Sequence, residues 1–198
     1  SLTREVARRV ERAGLWGMGI GDSPHYAELY AACAAALEAT SRLTISTSVT
    51  NPVTRHVSVH ASAARALATE YPGRFRLGFG RGDSAVRTFG LAPSSLAALE
   101  QTLTTLRRSV PDVPLLVAAS GPAAARLAGR VADGVIAGVG TDRAAIDMVR
   151  TQAGRPLEVW ASVRLAITPD PDRVADLRRR LVPRAVSASH FAFAATLD

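Results

Sequence analysis

Along most of its length the chain alternates short apolar segments with segments of helical period, and this alternation limits the fold more than any other feature. The apolar segments are "LWGMGIGD" (15–22), "RLTISTSV" (42–49), "RFRLGFG" (74–80), "VPLLVAAS" (113–120), "DGVIAGV" (133–139) and "LEVWASVRLAI" (157–167). Between them lie "SPHYAELYAACAAALEAT", "TRHVSVHASAARALATEY", "SSLAALEQTLTTLRR", "GPAAARLAGRVA" and "TDRAAIDMVRTQ", each long enough for a helix. Leu2, Val6, Val10 and Ala13 predict an opening helix that stops at Gly14. Ser23 and Pro24 have the residue types of a cap and a first turn for the second helix. A last helix is predicted from about Pro171, with Val174, Leu177 and Leu181 on one face.

Strands and helices in this order argue for parallel βαβ units. Two architectures satisfy that, an open doubly wound sheet and a closed (β/α)₈ barrel. Every strand segment ends in small or polar residues rather than in one Gly-rich phosphate loop, which favours a barrel whose rim is built from many loops. The expected fold class is therefore an α/β TIM barrel forming a single domain over 1–198. Only about six strand segments are visible where a barrel has eight, so the barrel is expected to be incomplete or to have segments missing from the chain.

Charge and composition narrow the function. All 24 basic residues are arginine, the net charge is +7, and the arginines are scattered rather than striped, apart from the run Arg178–Arg180. That distribution favours an acidic small ligand over nucleic acid. No apolar run approaches the roughly 20 residues of a membrane span. The opening has an acidic residue and no apolar core of a signal peptide. Cys33 is the single cysteine, which excludes an intrachain disulfide and a thiolate cluster and fits a reducing, cytoplasmic setting. In its alanine-rich helix it reads as a buried small thiol.

Candidate chemistry sits where the strand segments end. Ser46, Thr47, Ser48, Thr50 and Asn51 gather hydroxyl and amide groups at one strand tip, with Asn51-Pro52 as a turn and Thr54 as a helix cap the plainer reading. Gly78, Gly80 and Gly82 alternate at the next tip, where glycine lets a flat ligand lie on the main chain. Beside them Asp83 is read either as a ligand contact or as a cap with Arg81 as surface partner. Gly121 before Pro122, with Ser120, offers a helix N-terminus to a phosphate. Asp22, with His25 three residues on, is the proton-transfer candidate, with Asp22 or Ser23 as a helix cap the plainer reading. His56 and His60 have the spacing of a metal pair without a third ligand in view.

Taken in order, "SVTNPVTRH", "LGFGRGDSAVRTFGL" and "VPLLVAASGP" with "LAGRVADGVIAGVG" closely resemble the luciferase-like monooxygenase superfamily, in its branch of coenzyme F-420-dependent oxidoreductases such as methylenetetrahydromethanopterin reductase. The resemblance runs from about residue 5 to 150. It implies a barrel of the bacterial luciferase type that binds F-420, or FMN in other branches, at its carboxyl-end rim. It implies a non-prolyl cis peptide between Ser48 and Val49 behind the deazaflavin ring, followed by Thr50 and Asn51. Gly80, Arg81, Gly82 and Asp83 would border the ring, Ala119, Ser120 and Gly121 would receive the phosphate of the tail, and Asp22 would take the rim carboxylate position beside the substrate. The implied chemistry is hydride transfer between the deazaflavin and a small organic substrate, in a cytoplasmic homodimer. Some relatives are FMN-dependent monooxygenases and others non-catalytic partner subunits. Relatives are also longer, and the abrupt junction "TLRRSVPDVP" leads to the expectation of a break or a shortened loop between Arg107 and Pro111.

Overall fold

The structure, a computed structural model, describes residues 1–23, 27–138, 140, 142–162, 168–177 and 179. Its strands β1 (Gly17–Ile20), β2 (Thr44–Thr47), β3 (Phe75–Phe79), β4 (Leu115–Ala119), β5 (Gly134–Ala137) and β6 (Glu158–Ala161) are all parallel and lie side by side in chain order. A doubly wound sheet would reverse that order at a switch point. Here it never reverses, which is the winding of a barrel. The connecting helices are α1 (Leu2–Arg12), α2 (Leu29–Glu38), α3 (Val57–Glu70), α4 (Ser84–Thr88), α5 (Leu96–Ser109), α6 (Pro122–Val131) and α7 (Arg143–Ala153).

One face of the strands carries the large apolar residues. Ile45, Phe75, Leu77, Phe79, Leu115, Val117, Val135 and Ala137 alternate along β2 to β5 and are buried with Leu37, Ala64, Leu103, Leu106 and Leu127 of the helices. The other face is mostly small, with Ser46, Gly78, Ala118 and Gly134 beside a few larger groups. Leu116 and Ile136 project on this face, since a Cβ on Gly134 would lie 2.7 Å from Leu116 Cδ2 and one on Gly78 would lie 3.3 Å from Ile136 Cδ1.

The sheet curls toward that second face. Laid flat, six strands about 4.8 Å apart would hold β1 and β6 roughly 24 Å from each other. Instead Trp16, just before β1, meets Trp160 of β6 edge to face with ring centroids 5.4 Å apart. The Arg76 guanidinium of β3 joins them, 4.8 Å from the Trp16 ring and 5.6 Å from that of Trp160, and is ion-paired with Glu158. The six strands thus form a partial α/β barrel.

Several local details differ from the sequence expectation. Helix α2 begins at Leu29, where the Glu28 carboxylate accepts from Ala31 N at 2.9 Å, so Glu28 rather than Ser23 is the cap. Pro24 lies outside the described residues. Helix α3 is capped by His56, not Thr54, whose hydroxyl turns back to Asn51 Oδ1. Side-chain acceptors of adequate reach took both caps, and polar type alone did not distinguish them. Between Arg107 and Pro111 helix α5 continues to Ser109, and a tight turn held by Val110 N to Leu106 O and Val113 N to Val110 O leads into β4. Cys33 is fully buried in α2, and burial pushes its thiol up to about 12. A 3₁₀ turn over Pro171–Arg173 leads into the predicted last helix at 174–177. Leu181, like 163–167 of the sixth strand segment, lies outside the described residues.

Candidate functional site

At the tip of β2 the ladder to β3 is interrupted. Regular pairing covers Ile45 with Phe75 and Ser46 with Arg76. The Thr47 hydroxyl then stands in for the main chain, donating to Gly78 O and accepting from Gly78 N, both at 2.8 Å. The Ser48–Val49 peptide is cis, as the resemblance implied. Ser48 N turns to Ile20 O of β1 at 2.7 Å, and Thr50 rejoins β3 through Thr50 N to Gly78 O and Gly80 N to Thr50 O. The chain therefore bulges out of the sheet between β1 and β3. Ser48 is exposed, and among the described residues neither its carbonyl nor the Val49 N–H takes a hydrogen bond.

Glycines make room for that bulge, one for each of four of its residues. A Cβ on Gly78 would lie 2.2 Å from Thr47 O, one on Gly19 would lie 2.7 Å from Ser48 Cβ, and one on Gly80 would lie 2.9 Å from Val49 Cγ2. Gly82, at φ +83°, would place a Cβ 2.7 Å from Asn51 Cβ. The sequence reading gave the alternation of Gly78, Gly80 and Gly82 to a ligand lying on the main chain. In the structure each missing side chain faces the bulge, and Gly19, which that reading passed over, does the same from the β1 side. Asn51 is buried and folds the turn into α3, its Oδ1 accepting from Val53 N at 2.9 Å and Thr54 N at 3.0 Å.

Asp22 projects from the end of β1 into the same corner. Its Oδ2 accepts from the Thr50 hydroxyl at 2.7 Å and from Arg55 Nη1 at 2.6 Å, while Arg55 Nη2 reaches Glu28 Oε1 at 3.0 Å. Arg55 and Glu28 were not among the sequence candidates; an arginine after Asn-Pro looks like any surface residue until the fold brings β1 beside it. His25 lies outside the described residues. Asp22, Glu28 and Arg55 border a cavity of about 350 Å³ that also takes in Ser23, Ala27, Thr54, Ala85 and Phe89.

The histidine pair separates. His56 Nδ1 faces its own helix at Ser58, whereas His60 is fully buried, with Nδ1 2.6 Å from the Tyr30 hydroxyl and its ring edge-to-face with Phe79 at 4.9 Å. Burial first, then the Arg55 charge, lowers His60 to about 4. Burial likewise raises Tyr30, so both groups of the pair are neutral near pH 7.

The remaining candidates lie farther along the tips. Arg81 Nε donates to Ser94 O at 2.6 Å, and Asp83, at the N-cap position of α4 without a side-chain cap hydrogen bond, pairs with Arg87 at 2.5 Å. Helical spacing i, i+4 favours that pairing. Ala119 ends β4, and Gly121 caps α6 with Pro122 at the first helical position. Apart from Gly121 and its chain neighbours, no atom of the described residues lies within 4 Å of the Cβ position at Gly121, so this turn is open beside Ser120.

The profile of the luciferase-like monooxygenases matches residues 2–108 and 92–197. The chain belongs to this family. Within the luciferase-like family it is similar to an F-420-dependent glucose-6-phosphate dehydrogenase of Microbacterium testaceum, 32% identical over 162 residues, which cover 62% of this chain and 48% of the relative. The chain thus spans about half the length of the curated relative it matches. The coenzyme F-420-dependent tetrahydromethanopterin reductase of Methanopyrus kandleri superposes with a TM-score of 0.78 at 19% identity, covering 94% of this chain and 68% of that one. An F-420-dependent secondary alcohol dehydrogenase, in complex with an F-420-acetone adduct, superposes at 0.76 and 22% identity over 92% of this chain and 70% of that one. At these identities the superpositions establish the luciferase-like barrel as the fold.

Proposed function

We propose that the protein is an oxidoreductase that uses coenzyme F-420 and transfers hydride between it and a small organic substrate. The observation that carries the reading is the bulge at Ser48–Val49, which leaves a carbonyl and an N–H open at an exposed strand tip with Gly19, Gly78, Gly80 and Gly82 shaped around it. The Microbacterium relative supports the choice of F-420.

The residues fit such a group. The open main-chain groups of Ser48 and Val49 suit the polar edge of a flat ring, and Thr50, Asn51, Gly80, Arg81, Gly82 and Asp83 would border it. Ala119, Ser120 and Gly121 would hold the tail phosphate, using the open turn and the free N–H groups that begin α6. The net charge of +7 favours approach of an acidic tail. When bound, the deazaflavin supplies the carbon that takes or gives the hydride.

The chain's own part is orientation and proton handling. Thr50 and Arg55 hold Asp22 through Oδ2, and Oδ1 takes no hydrogen bond among the described residues. Asp22 Oδ1 would receive the hydroxyl proton of an alcohol substrate as hydride leaves its carbon, giving the carbonyl product. A single barrel domain over 1–198, a homodimer and a cytoplasmic setting belong to the same proposal; no helix among the described residues is long and apolar enough to cross a membrane.

Titrating the purified protein with F-420 and with FMN, while following the cofactor spectrum, tests the assignment. Micromolar binding of F-420 and weaker binding of FMN are expected. Tighter binding of FMN would move the protein to the monooxygenase side of its family, and binding of neither would leave a non-catalytic subunit.

A further inference from the structure

We infer that the cavity beside Asp22 accepts a neutral or cationic organic molecule and disfavours phosphate esters and other anions; calling that molecule the substrate rests on the oxidoreductase reading above. The cavity, of about 350 Å³, is within the range of small-ligand pockets. Its described lining carries two carboxylates, Asp22 and Glu28, against one guanidinium, Arg55.

That guanidinium is already engaged on both sides. Nη1 is bound to Asp22 and Nη2 to Glu28, so it cannot present a free fork to a phosphate. Neither Arg81 nor Arg87 lines the cavity; Arg87 pairs through Nε with Asp83, and Arg81 donates from Nε to Ser94 O. The rest of the described lining is uncharged, with the hydroxyls of Ser23 and Thr54 beside the apolar Ala27, Ala85 and Phe89, the last 56% exposed and available to cover an incoming ligand.

Two charge scales therefore act in opposite directions. The chain's net charge of +7 is spread over its surface and screened beyond about 8 Å at physiological salt. The excess carboxylate is local to the cavity and acts at contact distance, where a unit charge has its largest effect. An acidic cofactor tail drawn to the molecule as a whole and a non-anionic substrate beside Asp22 are compatible.

Calorimetric titration of the full chain with cyclohexanol, cyclohexylamine and cyclohexyl phosphate separates the effects of shape and charge, because the ring is constant. Cyclohexyl phosphate is expected to bind about tenfold more weakly than either of the others, or worse. Glu28→Gln keeps an oxygen for the Ala31 N–H and removes one charge; it is expected to reduce the gap between amine and phosphate at least about threefold. Phosphate binding as tight as that of the alcohol, a gap unchanged in Glu28→Gln, or no binding of any of the three at millimolar concentration would overturn the inference. A parallel F-420 titration keeps the two readings apart. F-420 binding with a preference for the phosphate ester refutes the cavity inference alone, whereas the expected charge order without F-420 binding upholds the cavity inference and refutes the redox assignment.

Discussion

Gly78→Ala is expected to destabilise the protein by about 3 kcal/mol and to abolish F-420 binding. The added methyl would stand 2.2 Å from Thr47 O, a main-chain atom that cannot turn aside as the end of a flexible side chain can. Relief requires β2 and β3 to separate at the point where the Thr47 hydroxyl spans them with two hydrogen bonds. Each of those contributes about 1 kcal/mol, and losing them would leave the buried Gly78 N–H without its partner, the carbonyl keeping only Thr50 N. Gly121→Ala is the control. Beyond its chain neighbours its Cβ position meets no atom of the described residues within 4 Å, and its φ is −148°, so its effect on stability should stay within about 0.5 kcal/mol. Urea midpoints of the two variants measure the contrast, and equal midpoints would show that the tip of β2 tolerates the methyl.

Acidification from pH 6.5 to 4.5 is expected to remove about 2–3 kcal/mol of stability through His60 alone. The folded protein holds His60 near 4, below the ordinary histidine value of 6.5, because the ring is buried against Phe79 and Tyr30 and lies near Arg55. Between those two values the unfolded chain binds a proton that the folded chain refuses. This contribution is therefore complete above pH 6.5 and is lost as pH falls toward 4. Glu11 and Glu100 are lowered from 4.5, by main-chain hydrogen bonds centred on Arg42 and by Arg130 respectively, so their contributions fade only at still lower pH. Unfolding free energy measured across this range in the native protein and in His60→Gln should differ in slope above pH 4.5. Parallel curves would mean that His60 titrates normally in the folded state.

The fold was legible because its signal is periodic. Each of the six apolar segments contains one observed strand, and the parallel order follows from helices long enough to cross back. Caps were less legible. Glu28 and His56 displaced Ser23 and Thr54 because the choice depends on which acceptor reaches the N–H groups of the first turn. The site was half legible. Ser48, Thr50 and Asn51 stand out as small polar residues ending a buried strand, and Asp22 as a carboxylate ending another. Arg55 and Gly19 carry no local mark. Arg55 matters because Asp22 and Glu28 reach it from another βα unit, and Gly19 because Ser48 leans over it from the neighbouring strand. Such information resides in pairs of positions distant along the chain, which one sequence does not display.

The central claim is that the bulge after β2 and the open turn at α6 form one cradle for a flat cofactor with an anionic tail. Amide hydrogen exchange with and without F-420 tests it most directly. The account predicts slower exchange on F-420 addition at 48–51, 80–83 and 120–124 together, with the outward faces of α1 and α5 unchanged. Protection confined to another part of the molecule, or at only one of those three stretches, would contradict it.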